Sequence, residues 1–86
     1  MNKMAEQISD VQTVVNSLNE IQEDASVPRN VRTQVQEVIS TLKDDTEVSI
    51  KVNKALNKLD EIASDVNLQA YTRTQIWNVM SVLEKL

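Results

Sequence analysis

The side chains of this 86-residue chain that could do chemistry are thirteen carboxylates, nine Lys and Arg, and a scatter of hydroxyls, with no histidine and no cysteine. Lacking histidine, the chain has neither the commonest general base nor the commonest transition-metal ligand. Lacking cysteine, it has no thiolate metal site and no thiol nucleophile. Carboxylate-bridged metal pairs in helical bundles draw on Glu-x-x-His motifs, which this composition cannot supply. The densest oxygen cluster, Asp44-Asp45-Thr46-Glu47, lacks the ligand spacing and the glycine of a calcium loop. It suits the start of a helix instead, with Asp44 or Thr46 as the N-cap. The serines and threonines have no histidine beside them to act as base. These residues predict no catalytic site, no metal and no cofactor, and so a protein that is not an enzyme.

Three other clusters could bind. Lys51, Lys54 and Lys58 share one face of a helix. Glu47 can pair with Lys51 and Glu61 with Lys58 at helical spacing, which leaves Lys54 least compensated as an anion or RNA contact. Trp77, with Tyr71 and Met80 nearby, has the residue types that anchor protein contacts; a Trp closing the end of the core is the blander alternative. The third cluster is ionic. Glu20, Glu23 and Asp24 crowd one helix end, and Asp60, Glu61 and Asp65 crowd another. Acids at a helix C-terminus oppose its dipole. A structural clasp in each hairpin would offset that, with Glu20 or Asp24 meeting Arg32, and Glu61 or Asp65 meeting Arg73.

The elements that must position these residues follow from a repeat. Leu18–Leu42 recurs 41 residues later as Leu59–Leu83 without a gap. Apolar matches such as Ile21 with Ile62 follow from helical spacing alone. The polar identities do not: Glu20 with Glu61, Asp24 with Asp65, Arg32-Thr33-Gln34 with Arg73-Thr74-Gln75, and Ser40 with Ser81. A duplicated helical hairpin accounts for them. Helix 1 is predicted from Asn2 or Lys3 to about Asp24, with Met4, Ile8, Val11, Val15, Leu18 and Ile21 inward. Helix 2 is predicted from Ser26 as N-cap to about Lys43. Helix 3 is predicted to about Asp65, with Ile50 off its apolar stripe. Helix 4 is predicted from Asn67 as N-cap to the end, with Thr72, Ile76, Val79, Met80 and Leu83 inward. All three connections are short, which makes sequential helices antiparallel neighbours.

The predicted fold is therefore all-α: an antiparallel up-down-up-down four-helix bundle built from two duplicated hairpins. It forms one domain over residues 1–86, with hairpins at 3–43 and 46–86. Closure is preferred to a stacked solenoid, because two uncapped repeats would leave much apolar surface wet. Zero glycines and one proline argue against tight strand turns and phosphate loops. A hydrophobic content of 41% with 26% charged residues places the chain among folded domains. No apolar run approaches the roughly 20 residues of a membrane span, and MNKMAEQISD lacks the apolar core of a signal peptide; a cytoplasmic location is expected. The net charge of −4 opposes general nucleic-acid or anionic-membrane binding.

The runs SVPRNVRTQ, LDEIASD and above all RTQIWNVMSVLE resemble a small archaeal family, uncharacterised protein family 0147, over nearly the whole chain. The resemblance implies a short all-helical cytoplasmic protein from an archaeon, and supplies no activity, substrate or site residue. A Val-Arg pair opening a second helix, as in HEAT-type repeats, is present at Val31-Arg32 but not at Thr72-Arg73. The expected function is a non-catalytic protein-interaction or scaffolding module with a protein partner, a second copy of the chain included. The alternative is an RNA or ribonucleoprotein accessory protein using the lysine face. Neither DNA nor a membrane is an expected partner.

Overall fold

In the computed structural model, the backbone is described for residues 3–86 and the side chains for residues 10–86. Four helices follow in order: α1 (Lys3–Glu23), α2 (Arg29–Lys43), α3 (Val48–Ala63) and α4 (Ala70–Leu83). Each packs on two neighbours, α1 on α2 and α4, α3 on α2 and α4, while among the described residues the backbones of the diagonal pairs stay apart. That is a closed square of antiparallel helices, 41 × 20 × 19 Å.

Aliphatic side chains from all four helices fill one core. Val14, Leu18 and Ile21 of α1 meet Val35, Ile39 and Leu42 of α2, Leu59 and Ile62 of α3, and Ile76, Val79 and Leu83 of α4, all buried. Each such side chain contributes roughly 1.5–3 kcal/mol when taken out of water. Thr72 is buried among them. Ile50 is exposed, as its place off the stripe predicts. Val48, Leu56 and Met80 are only partly buried, packed against the rim of the core. Met4 and Ile8 lie outside the described side chains.

The duplication is visible in the two hairpin turns, 24–28 and 65–69, which share the same set of backbone hydrogen bonds. Oδ1 of Asp24 accepts the Ser26 N–H at 2.9 Å, and Oδ1 of Asp65 accepts the Asn67 N–H at 2.9 Å. The Val27 N–H reaches the Asp24 carbonyl and the Leu68 N–H the Asp65 carbonyl, both at 3.1 Å. Arg32 N–H closes on Pro28 and Arg73 N–H on Gln69, both at 3.0 Å. The Thr33 and Thr74 hydroxyls each donate back four residues, to the carbonyls of Arg29 and Ala70, at 3.1 Å. In both turns the aspartate side chain mimics a backbone turn. No described residue adopts a positive φ, so these connections need no glycine.

This geometry corrects three expected caps. Ser26 is not the N-cap of α2: its N–H and Oγ are both held by Asp24, and the helix begins after Pro28, with no side-chain cap. Asn67 is displaced in the same way, and Gln69 is the N-cap of α4. Before α3 the N-cap is Glu47 rather than Asp44 or Thr46. Helix α3 also stops at Ala63, short of Asp65, because Asp65 belongs to the turn.

Candidate functional site

The ionic clasp expected in each hairpin takes another form. Arg73 is half-buried and donates to backbone carbonyls: Nε–H to Ala63 at 2.9 Å, and Nη2 to Asp65 at 2.9 Å and Leu68 at 3.2 Å. It thus ties the end of α3 and the turn after it to α4; the Ala63 carbonyl is one that the helix leaves unsatisfied, while Asp65 and Leu68 lie in the turn. No ion pair among the described residues joins Arg73 to Glu61 or Asp65, or Arg32 to Glu20 or Asp24. The carboxylates are aimed elsewhere. Asp24 is engaged by the hydroxyl and N–H of Ser26, which hold its carboxyl below the usual carboxylate range. Glu20 lines the groove between α1 and α4 with Gln75, away from α2. Glu61 lies beside Lys58, which also reaches Glu37 of α2. Both glutamates therefore face the other hairpin, not their own. Arg32 differs from Arg73: its Nε is sealed from solvent and meets no acceptor.

The lysine face is largely internal in its bonding. Lys58 lies 3.6 Å from Glu37 and 3.8 Å from Glu61. Lys51 donates to the Asp44 carbonyl at 3.1 Å, in place of the expected pairing with Glu47. Lys54 is exposed, and no ion pair among the described residues reaches it.

The aromatic cluster is on the surface, but not as one patch. Trp77 is 54% exposed and Tyr71 70% exposed. Six residues along an α-helix put them about 120° apart around α4. Met80, three residues from Trp77 and about 60° away, is half-buried on the same flank. Tyr71 is on the opposite flank of the outward face, and Ala70, Thr74 and Ser81 are exposed between the two aromatics. Inward placement of Trp77 as a cap on the core is thus not what the chain adopts. Trp77 and its repeat counterpart Gln36 are both exposed.

What this arrangement lacks is charge. The exposed residues within α4 are Ala70, Tyr71, Thr74, Trp77, Asn78 and Ser81, all neutral. The single charged residue of α4, Arg73, is turned to the α3 carbonyls. The other helices carry charge outward: Glu20 and Glu23 on α1, Arg29, Glu37 and Lys43 on α2, Lys54, Asp60 and Glu61 on α3. The low charge of α4 was readable in AYTRTQIWNVMSVL, although its segregation to the surface needed the fold. Among the described residues no group of His, Cys, Asp and Glu is arranged to hold a metal ion, and no helix is long and apolar enough to cross a membrane.

Two solved structures share this fold. The unknown-function protein MMP1188, from Methanococcus, is 35% identical, with a TM-score of 0.86 over 90% of this chain and 89% of its own. A protein from Thermoplasma acidophilum is 31% identical, with a TM-score of 0.88 over 93% of this chain and 95% of its own. Its description places it in the uncharacterised family UPF0147. No curated protein matches the chain. The model of that same family matches residues 1–86. With the polar repeat, the closed four-helix square and both structural relatives in agreement, the chain belongs to the uncharacterised protein family UPF0147.

Proposed function

We propose that this chain is a non-catalytic interaction module, that its contact surface is the outward face of α4, and that the partner is a second copy of itself. The observation that carries this reading is that every exposed residue of α4 from Ala70 to Ser81 is neutral, with the chain's only Trp and only Tyr among them. Interface cores are depleted in charge and enriched in Trp, Tyr and Met. The chain carries a net charge of −4, so two copies repel wherever their acidic faces meet. The α4 face is where they can approach without that penalty. Its relief suits self-packing: Trp77 and Tyr71 are ridges, and Ala70, Thr74 and Ser81 form the low ground between them, where the ridge of a symmetry-related α4 fits. A 14-residue helix is roughly 21 Å long, which limits the buried area and makes the contact a reversible one. The proposal includes a cytoplasmic setting, which the family resemblance implies.

Sedimentation equilibrium over a wide range of protein concentrations tests this. The expected result is a rise in average mass with concentration that vanishes in Trp77→Gln. A monomer at every concentration would overturn the assignment of a second copy as partner.

A further inference from the structure

The two hairpins meet along two seams, α2 with α3 and α4 with α1. The 41-residue offset between the copies carries one seam onto the other. In the α2–α3 seam, Lys58 holds its Nζ between two carboxylates, 3.6 Å from Glu37 and 3.8 Å from Glu61. In the α4–α1 seam the counterparts of these residues are Ser17 for Lys58, Asn78 for Glu37 and Glu20 for Glu61. One carboxylate is kept and the cation is gone. The rest of the lysine row is gone as well, since Asp10 and Thr13 stand where α3 has Lys51 and Lys54. Ser17, Glu20 and Asn78 all line one groove of about 210 Å³, with Gln75 and the buried Val14 and Val79. The shorter Ser17 thus leaves open, in this seam, space that a lysine fills in the other. No lysine or arginine lines the groove, and no ion pair among the described residues reaches Glu20.

We infer that this groove binds a primary alkylammonium ion, a straight-chain amine whose ammonium takes the place that the Lys58 ammonium holds in the sister seam. Glu20 is its counter-ion, and a hydrogen bond between two charged groups is stronger than one between neutral groups. An ammonium has three N–H donors, more than one carboxylate oxygen accepts. The Ser17 hydroxyl and the side-chain carbonyls of Asn78 and Gln75 are the further acceptors on the same walls. The valines take the alkyl chain, as apolar surface takes the stem of a lysine. Other cations fit less well. A calcium ion needs six or more oxygen ligands, several of them charged, and a single carboxylate lines the groove. A quaternary ammonium is held by aromatic faces, and neither Trp77 nor Tyr71 lines it. The volume is below that of sites for drug-sized molecules, which favours a small amine. The net charge of −4 attracts a cation to the surface. The inference does not rest on the α4 contact.

The test is a titration of the full chain with n-butylammonium chloride, at constant ionic strength and one fixed protein concentration. The signals followed are the side-chain amides of Asn78 and Gln75 and the carboxyl carbon of Glu20. Saturable movement of all three is expected. Tetramethylammonium chloride, with the same charge and no N–H, is expected to give none. Glu20→Gln removes the counter-ion and should weaken binding about tenfold. Ser17→Lys restores the lysine of the other copy, so its own ammonium should fill the groove and abolish butylammonium binding. The Glu20 carboxyl signal of that variant should sit near its position in the amine-saturated parent. Thermal melting of both variants at or above that of the parent establishes that they fold. Absence of saturation with butylammonium, equal saturation with tetramethylammonium, or undiminished affinity in either variant would overturn the assignment.

Discussion

Arg73 and Arg32 stand at equivalent places in the two hairpins, yet Arg73 gives three hydrogen bonds to the carbonyls of Ala63, Asp65 and Leu68, while the Nε of Arg32 is buried against no acceptor. The two arginines should therefore differ in what they contribute to stability. Removing Arg73 takes the charged donor from the Ala63 carbonyl at the end of α3 and from the Asp65 and Leu68 carbonyls of the turn, of which Asp65 keeps the Leu68 N–H; hydrogen bonds from charged groups are worth about 1.5–3 kcal/mol. Arg73→Ala is expected to cost about 2–3 kcal/mol. Arg32→Met removes an unsatisfied donor while keeping the packed stem, and should leave stability unchanged or raise it by up to ~1 kcal/mol. Urea unfolding checks both, and equal losses in the two variants would contradict the asymmetry.

The carboxyl of Asp24 gives a pH signature. The Ser26 hydroxyl at 2.7 Å and the Ser26 N–H at 2.9 Å hold it below the usual carboxylate range in the folded state. A folded value below the unfolded one means that the unfolded chain binds more protons in between, so stability rises with pH there. The contribution is complete above the usual carboxylate range and is lost as pH falls through the lowered value of Asp24. Asp24→Asn should therefore melt below the parent at neutral pH, with the gap closing as the solution is acidified through that window. A gap that stays constant down to the acid limb would show that Asp24 does not titrate in this way.

Much of the fold was legible in the chain, and the misses share one cause. Four helices, their antiparallel order and the duplication follow from apolar period and repeated polar identities. The expected clasps were not: of their residues only Arg73 closes its hairpin, and it does so through carbonyls, while Arg32 makes no such closure. Asp24 and Asp65 repeat because they build the turn, and their partners are N–H groups two residues on. Arg73 bonds to carbonyls, which every residue has, so no pattern of side chains points to them. Ser26 and Asn67 have the composition of N-caps, yet each is held by the aspartate before it, and each helix starts after the residue two positions later. The error being the same in both copies shows that the register was read correctly and the local chemistry was not. On the outward face of α4, Trp77 stands where the first copy of the repeat has Gln36, a difference the sequence shows directly. The 120° separation of Trp77 and Tyr71 follows from helical geometry, whereas the burial of Arg73 that leaves the face uncharged does not.

Val66 and Leu68 give a sharp contrast within one turn. Val66 is 89% exposed and Leu68 4% exposed, though both are aliphatic and two residues apart. Leu68 and its counterpart Val27 plug the core from the turn at the same end of their hairpins, outside the helical period that marks the other core residues. Leu68→Ala is expected to cost about 2–4 kcal/mol, the range for deleting a buried aliphatic group with partial collapse of the space left. Val66→Ala should stay within ~0.5 kcal/mol of the parent. Chemical denaturation of the two variants measures this directly; similar losses would mean that the turn does not anchor the core through Leu68.

Trp77 separates folding from association. Its ring is half in water, and its repeat counterpart Gln36 occupies the same register on α2 with its amide 3.4 Å from Ser40, so a glutamine is already accommodated at this place in the other hairpin. Trp77→Gln should cost about 1–2 kcal/mol of monomer stability, because half of its ring is already in water. In a symmetric α4 contact, each subunit loses an aromatic anchor and the effect counts twice. Truncation of a contact anchor costs ~2 kcal/mol or more, so two such losses weaken a dimer by roughly a thousandfold or more. The intrinsic fluorescence of the single Trp reports on the same contact: its emission should move to the blue as concentration rises and the ring leaves water. Emission that is independent of concentration in a chain that nonetheless associates would move the interface off α4 and onto another face of the bundle.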